Sequence, residues 1–108
     1  MKKLLLLGLI ISFFSCQSDI YLEDGIIKCK EDVKVGFIGE VDGISYKVVD
    51  TEMLYKMVKN NEDITHICTS KVNNMNYLFS NSKFNGDISK WDVSSVINMN
   101  FLFYNSKF

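Results

Sequence analysis

Three thiols and one imidazole are the side chains of this sequence best suited to chemistry near neutral pH: Cys16, Cys29, Cys68 and His66. A thiol can be acylated or alkylated, oxidised to a disulfide, or bound to a metal. The metal reading is poor in ligands, because the lone His66 lies two residues before Cys68 and no Cys-x-x-Cys pair exists. No serine, cysteine and acid arrangement supports a nucleophilic site around His66, which reads as a solvated strand residue. Asp87 and Asp92 suggest a carboxylate pair, yet Asp92 is matched by Cys68 one repeat earlier, so both read as turn caps or lysine partners. Gly36, Gly39 and Gly43 do not form a phosphate loop, since no helix with a suitably spaced lysine follows them. The expectation is a chain with no catalytic residues, no metal, no cofactor and no small-molecule substrate.

The position of Cys16 gives it a separate meaning. Lys2 and Lys3 precede an apolar run from Leu4 to Phe14, broken only by Gly8 and Ser12. Eleven residues at ~1.5 Å each reach roughly 16 Å, about half of a hydrocarbon core, so the run is too short to span. Residues 1–15 read as a cleavable export signal. The following Phe13-Phe14-Ser15-Cys16 resembles the lipobox of bacterial lipoproteins, although that pattern favours leucine and a small residue where the phenylalanines stand. The resemblance implies that Cys16 carries a diacylglyceryl group, with residues 16–24 as a spacer between membrane and fold. Cys29 and Cys68 then remain, an even number in an exported chain, and a disulfide is the economical reading. Closing their forty-residue loop would restrict the unfolded chain by ~4 kcal/mol. Two buried free thiols or a metal site are the alternatives.

Without the signal, 93 residues remain, enough for one small domain. The composition, 47% hydrophobic and 23% charged, suits a folded chain. Every basic residue is lysine; removing Lys2 and Lys3 leaves ten lysines against thirteen acids, a net charge of about −3. Nucleic acid is an unfavourable ligand for such a surface.

The elements that must position these residues are written in a repeat. VNNMNYLFSNSKF (72–84) and VINMNFLFYNSKF (96–108) share ten of thirteen residues at an offset of 24, and DITHICTS (63–70) lies over DISKWDVS (87–94). The units therefore run 63–86 and, incomplete, 87–108, with Phe108 falling in mid-unit. In the first, Ile64, Ile67 and Val72 keep the rhythm that Ile88, Trp91, Val93 and Val96 keep in the second. Val72, Met75, Leu78 and Phe79, and likewise Met99, Leu102 and Phe103, fall at the steps of three and four that predict one stripe of a short helix. Phe84 and Asn85-Gly86 return the chain to the next strand. The predicted fold class is α/β: a short leucine-rich-repeat-like solenoid of strand-plus-short-helix units. A small β-rich cap module with one helix, residues 25–62, is expected before it. Its strands are placed at Ile26 to Lys28, Val33 to Ile38 and Ile44 to Val49, and its helix at Glu52 to Lys59.

FNGDISKWDVSSVINMNFLF resembles the repeat of the BspA-like leucine-rich-repeat surface lipoproteins of bacteria, and residues 25–70 are similar to the N-terminal cap some members carry, including its cysteine pair. Against that family the chain looks like a cap plus first repeats, truncated, with Phe101, Phe103 and Phe108 exposed at the open end. The resemblance implies an exported protein, lipid-anchored to the bacterial membrane at the cell surface, that adheres to host or neighbouring-cell surface proteins. The predicted binding face is His66, Lys90 and Asp92, outward on adjacent strands. The alternative is a structural fragment of a longer repeat protein with no ligand of its own.

Overall fold

The computed structural model describes residues 18–108; the signal segment and Cys16 lie outside the described residues. Two antiparallel hairpins open the fold. The first joins β1 (Ile20–Glu23) to β2 (Ile26–Cys29), the second β3 (Ile38–Val41) to β4 (Ile44–Asp50). Each turns through an Asp-Gly pair whose two residues have positive φ, 53° at Asp24 and Asp42 and 81° at Gly25 and Gly43. Two positive φ angles in a two-residue loop match the right-handed twist of the flanking strands, the reason Asp-Gly is favoured there. The first hairpin corrects the reading of residues 16–24 as spacer, since Ile20 is buried and its strand is paired. The strand expected at Val33 to Ile38 instead begins at Ile38.

β4 leads through the helix α1 (Thr51–Lys59) into β5 (Ile67–Lys71), which pairs parallel to β4 and completes a sheet of order β3-β4-β5. Asp50 caps α1 by accepting the Met53 N–H at 2.9 Å, an interaction worth about 1 kcal/mol. Glu52 in the first turn and Lys56 and Lys59 in the last suit the helix dipole. The sheet separates two cores because side chains alternate along its strands. Val48 and Cys68, partners in register, face Ile20, Ile27, Val33 and Tyr46. Val49 and Ile67 face Leu54, Met57, Phe79 and Trp91 on the other side.

The expected strand-plus-helix solenoid is not formed. Among the described residues the only helix is α1, no strand follows β5, and the architecture is two small sheets followed by turn-built units. The cause lies in the backbone of 75–82. Tyr77 and Asn81 have φ of 57° and 60°, a left-handed conformation that ends any α-helix within a turn. The amides of Leu78, Ser80 and Ser82 close overlapping turns onto Met75, Tyr77 and Phe79, at 3.2, 3.0 and 3.0 Å. The alternate amides leave the segment altogether: those of Met75, Tyr77, Phe79 and Asn81 donate to the carbonyls of Asn98, Asn100, Leu102 and Tyr104 at 2.8 to 3.0 Å. Residues 99–106 repeat the turns, with Phe101 and Asn105 again left-handed. The three-and-four spacing of Met75, Leu78 and Phe79 is thus that of consecutive turns sharing one apolar side, which places all three in the core with Ile64, Ile67 and Val72.

Residues 87–94, which form no strand, are held chiefly by side chains. Thr69 Oγ1 donates to the Asp92 carbonyl at 3.0 Å and accepts the Asp92 N–H at 2.8 Å. Trp91 Nε1 donates to the Ile64 carbonyl at 3.0 Å, so the buried indole leaves no polar atom unpaired.

Candidate functional site

His66 and Lys90 are brought together and Asp92 is not. The two form the rim of a shallow cleft of about 210 Å³, with Tyr46 and Ile44 from β4 as its apolar wall and Thr65 and Asp87 beside them. His66 stands edge-on to the Tyr46 ring at 5.8 Å, and its Nδ1 lies 3.8 Å from an Asp63 carboxylate oxygen. Hydrogen bonds from the hydroxyl and amide of Thr65 hold the Asp63 carboxyl below the usual range, and those of Ser89 do the same for Asp87. These aspartates are one repeat apart and do one job, each accepting the N–H two residues on at 2.9 Å.

Asp92 corrects the predicted binding face. It is only 6% exposed, and its carboxylate accepts from Ser70 Oγ at 2.7 Å and from the Ser94 N–H at 3.0 Å. Burial alone would raise its pKa; the bonds from Ser94 and Ser70 outweigh that and lower it. The side chain ties the second unit to β5 and is turned away from any macromolecule. Lys90 stays exposed while its carbonyl accepts the Ile27 N–H at 2.9 Å.

Cys29 and Cys68 stand side by side on β2 and β5 as free thiols. Ser70 Oγ lies between them, accepting the Cys29 N–H at 3.2 Å and the Cys68 thiol at 3.5 Å. Burial, with the Cys68 thiol adding to it, pushes Cys29 up to about 11. Such a thiol is a poor nucleophile at neutral pH. Among the described residues no group of three histidines, cysteines or acids could hold a metal ion, and no helix is long and apolar enough to cross a membrane.

An open groove of about 730 Å³ lies between α1 and the first unit, where Lys56, Lys59 and Lys83 surround Tyr55 and Leu78. Tyr55 crosses its floor to donate to the Asn76 carbonyl at 2.5 Å. The outer side of the second unit is the contrasting surface. Ile97 is 88% exposed, and Phe101, Phe103, Tyr104 and Phe108 are all near half exposed. Ile97 takes the place of Asn73 of the first unit, and that substitution was the sequence signal for an apolar surface residue. The predicted core positions Val93, Met99 and Phe103 lie on this exposed side, which corrects their assignment to the core. Ile88, Val96, Leu102 and Phe84 are half-buried against the core of Leu54, Met57, Phe79 and Trp91. The asparagine side chains of the turns chiefly accept: Asn74 and Asn98 Oδ1 take the N–H of Asn76 and Asn100 at 2.8 and 3.2 Å.

Residues 45–108 match the model of a family described as Mycoplasma protein of unknown function, DUF285. No curated protein and no solved structure matches the chain.

Proposed function

Because the chain belongs to the DUF285 family through residues 45–108, we propose that it is a non-enzymatic bacterial cell-surface lipoprotein that presents a protein-binding face. The observation that carries this reading is the exposed apolar row of the second unit, Ile97, Phe101, Phe103 and Tyr104. A domain this small gains by burying such residues, and a contiguous apolar patch left in water marks an interaction surface. The resemblance of 84–103 to the repeats of BspA-like surface lipoproteins supports attachment to host or neighbouring-cell proteins as the outcome of that binding. The anchor is Cys16, whose lipid holds the protein to the membrane, with the fold outside the cell.

Expressing the full chain in a bacterial host tests both parts. Labelled palmitate should enter the protein and be lost in Cys16→Ser, and protease added to whole cells should remove the fold. Cells should attach to protein-coated surfaces, and Ile97→Asn with Phe101→Asn should abolish attachment. Asparagine suits both positions, since it stands at the counterpart of Ile97 and tolerates the positive φ of Phe101. Attachment unchanged in the double variant would rule out this face as the binding surface.

A further inference from the structure

Between β2 and β3 the chain makes a turn, residues 34–38, that holds Val35, Phe37 and Ile38 in water, Ile38 with 61% of its surface exposed. The turn is fixed to the sheet. Gly36, at a φ of 97°, donates its N–H to the Val48 carbonyl at 2.8 Å, and the Phe37 carbonyl accepts the Val48 N–H at 2.8 Å. Val33 at its base is buried with Ile20 and Ile27. A rigid backbone therefore presents these apolar side chains to solvent. Their place in the fold says what meets them. Phe37 lines a cleft of about 340 Å³ together with Ser18, Asp19 and Glu40, so the start of the described chain and the turn lie side by side at β3. Within its sheet β3 is the edge farthest from the second unit, which joins the other edge through the bond of Thr69 to Asp92. Ser18 is two residues from Cys16, and an extended chain covers at most ~3.6 Å per residue, about 7 Å in all. A lipid on Cys16 would hold Ser18, and Phe37 beside it, at the membrane surface.

We propose that the 34–38 turn is a membrane-docking surface, whose Val35, Phe37 and Ile38 side chains enter a phospholipid bilayer beside the Cys16 lipid. The inference rests on the lipoprotein reading above and goes beyond it, because the fold is then held at two points instead of hanging from one. Two points set its orientation. The β3 edge lies on the membrane and the second unit faces away, roughly 14 Å farther out for three steps of about 4.8 Å between neighbouring strands. The chemistry is apolar insertion, reaching the boundary of headgroups and acyl chains where interfacial side chains sit about 5–10 Å deep. Charge does not drive it. Asp19 and Glu40 flank Phe37, and Glu31 and Asp32 precede Lys34, so acids outnumber the one lysine of the turn and anionic headgroups gain nothing there.

The test uses the full chain, expressed in a bacterial host with its lipid and reconstituted in phosphatidylcholine vesicles whose acyl chains are brominated near the headgroup. Bromine quenches tryptophan on contact. Phe37→Trp and, separately, Ile38→Trp put an indole on the turn, Ile97→Trp puts one on the second unit, and the buried Trp91 of the unsubstituted protein gives the background. Unchanged denaturant midpoints show that the variants fold. The expected result is emission shifted to the blue and quenched by bromine in Phe37→Trp and Ile38→Trp, with neither change in Ile97→Trp and no gain from added phosphatidylglycerol. Equal quenching in all three variants, quenching in none, or quenching only with phosphatidylglycerol present would each overturn the proposal. So would a blue shift that grows with protein concentration and ignores bromine, which assigns the turn to a second copy of the chain. The mass of the purified protein separates the inference from its premise. An unacylated Cys16 removes the lipoprotein reading and this proposal with it, whereas full acylation without quenching removes this proposal alone.

Discussion

Nearly the same thirteen residues occur twice and end in two environments. Met75 and Phe79 of the first unit are 1% and 0% exposed; Met99 and Phe103 of the second are 42% and 46% exposed. Both copies form the same turns, with the same left-handed residues, so local sequence sets backbone shape in both. The difference is neighbours. The first unit is covered by α1 and β4 on one side and by the second unit on the other; among the described residues the second unit is covered on one side only. Burial, and with it most of the energy, is thus a property of position in the stack. Matched truncations sharpen this most. Phe79→Ala should cost about 3–5 kcal/mol in denaturant unfolding, a cavity cost for a ring enclosed among Phe84, Trp91 and Phe103. Phe103→Ala should cost about a third of that or less, because its ring is already half in water. Equal losses would mean that the two units are equivalent and that the comparison is mistaken.

The second largest difference lies at the cysteines. Cys68 faces Cys29, and the corresponding residue of the second unit is Asp92, so a covalent staple is open to the first unit alone. In exported protein we expect Cys29 and Cys68 to be joined, found as one cross-linked peptide by mass spectrometry without reduction. Reduction should lower stability by about 2–4 kcal/mol. Recovery of both thiols alkylated from unreduced exported protein would sink the expectation.

The offset of 24 residues was legible because identity is visible in sequence, and it is the offset of the hydrogen bonds that Asn100 donates to Asn76 and Asn105 to Asn81. The helix was not. Steps of three and four describe a helical stripe and also a run of overlapping turns, and only the backbone sign at Tyr77 separates them. Asn81 is a residue type common at positive φ; an aromatic there gives no such signal, since the stacking that holds Tyr77 comes from Phe101, a unit away. The Asp24-Gly25 hairpin was readable from the same pair that marks Asp42-Gly43, but the apolar Ile20 and Leu22 lay within a segment read as spacer. The burial of Asp92 had no local signature. Its Ser94 bond is local, but Ser70 and Thr69, the partners that enclose it, are more than twenty residues away, and a carboxylate between turns in sequence looks solvated until they arrive.

Thr69 gives a finer way to separate the units. It is fully buried, and its hydroxyl serves both backbone groups of Asp92; its counterpart is the exposed Val93. Thr69→Val keeps the shape and strands a buried N–H, which costs about 1–3 kcal/mol. The loss should be local. Amide exchange in 87–108 should accelerate while α1 keeps its protection, because α1 packs on the core of Val49, Ile67 and Phe79 without using this hydroxyl. Uniform acceleration through both units would indicate a single cooperative block.

The smallest expected effect is one of pH, and it sets the two regions at opposite ends of the scale. Hydrogen bonds lower the Asp92 carboxyl below its ordinary value near 3.9, so between the two values the folded chain binds fewer protons than the unfolded one. The stability this supplies is present above about pH 4 and is lost as pH falls through the lower, folded value. The Cys29 thiol, raised to about 11, acts in the other direction in reduced protein. Its contribution is complete below the unfolded thiol value of about 8.5 and is lost as pH climbs through the folded one. Asp92→Asn should therefore flatten the acid side of the stability profile and leave the alkaline side alone, and Cys29→Ser should do the converse. Asp63 and Asp87 add to the acid slope, but both stand in water, so Asp92→Asn should remove more of it than Asp63→Asn or Asp87→Asn. Denaturant midpoints measured across the pH range would decide it. If wild type and Asp92→Asn run parallel into acid, the carboxylate bridge from β5 to the second unit carries no weight, and the other bonds between the units, those of Thr69 and Trp91 among them, hold that unit in place.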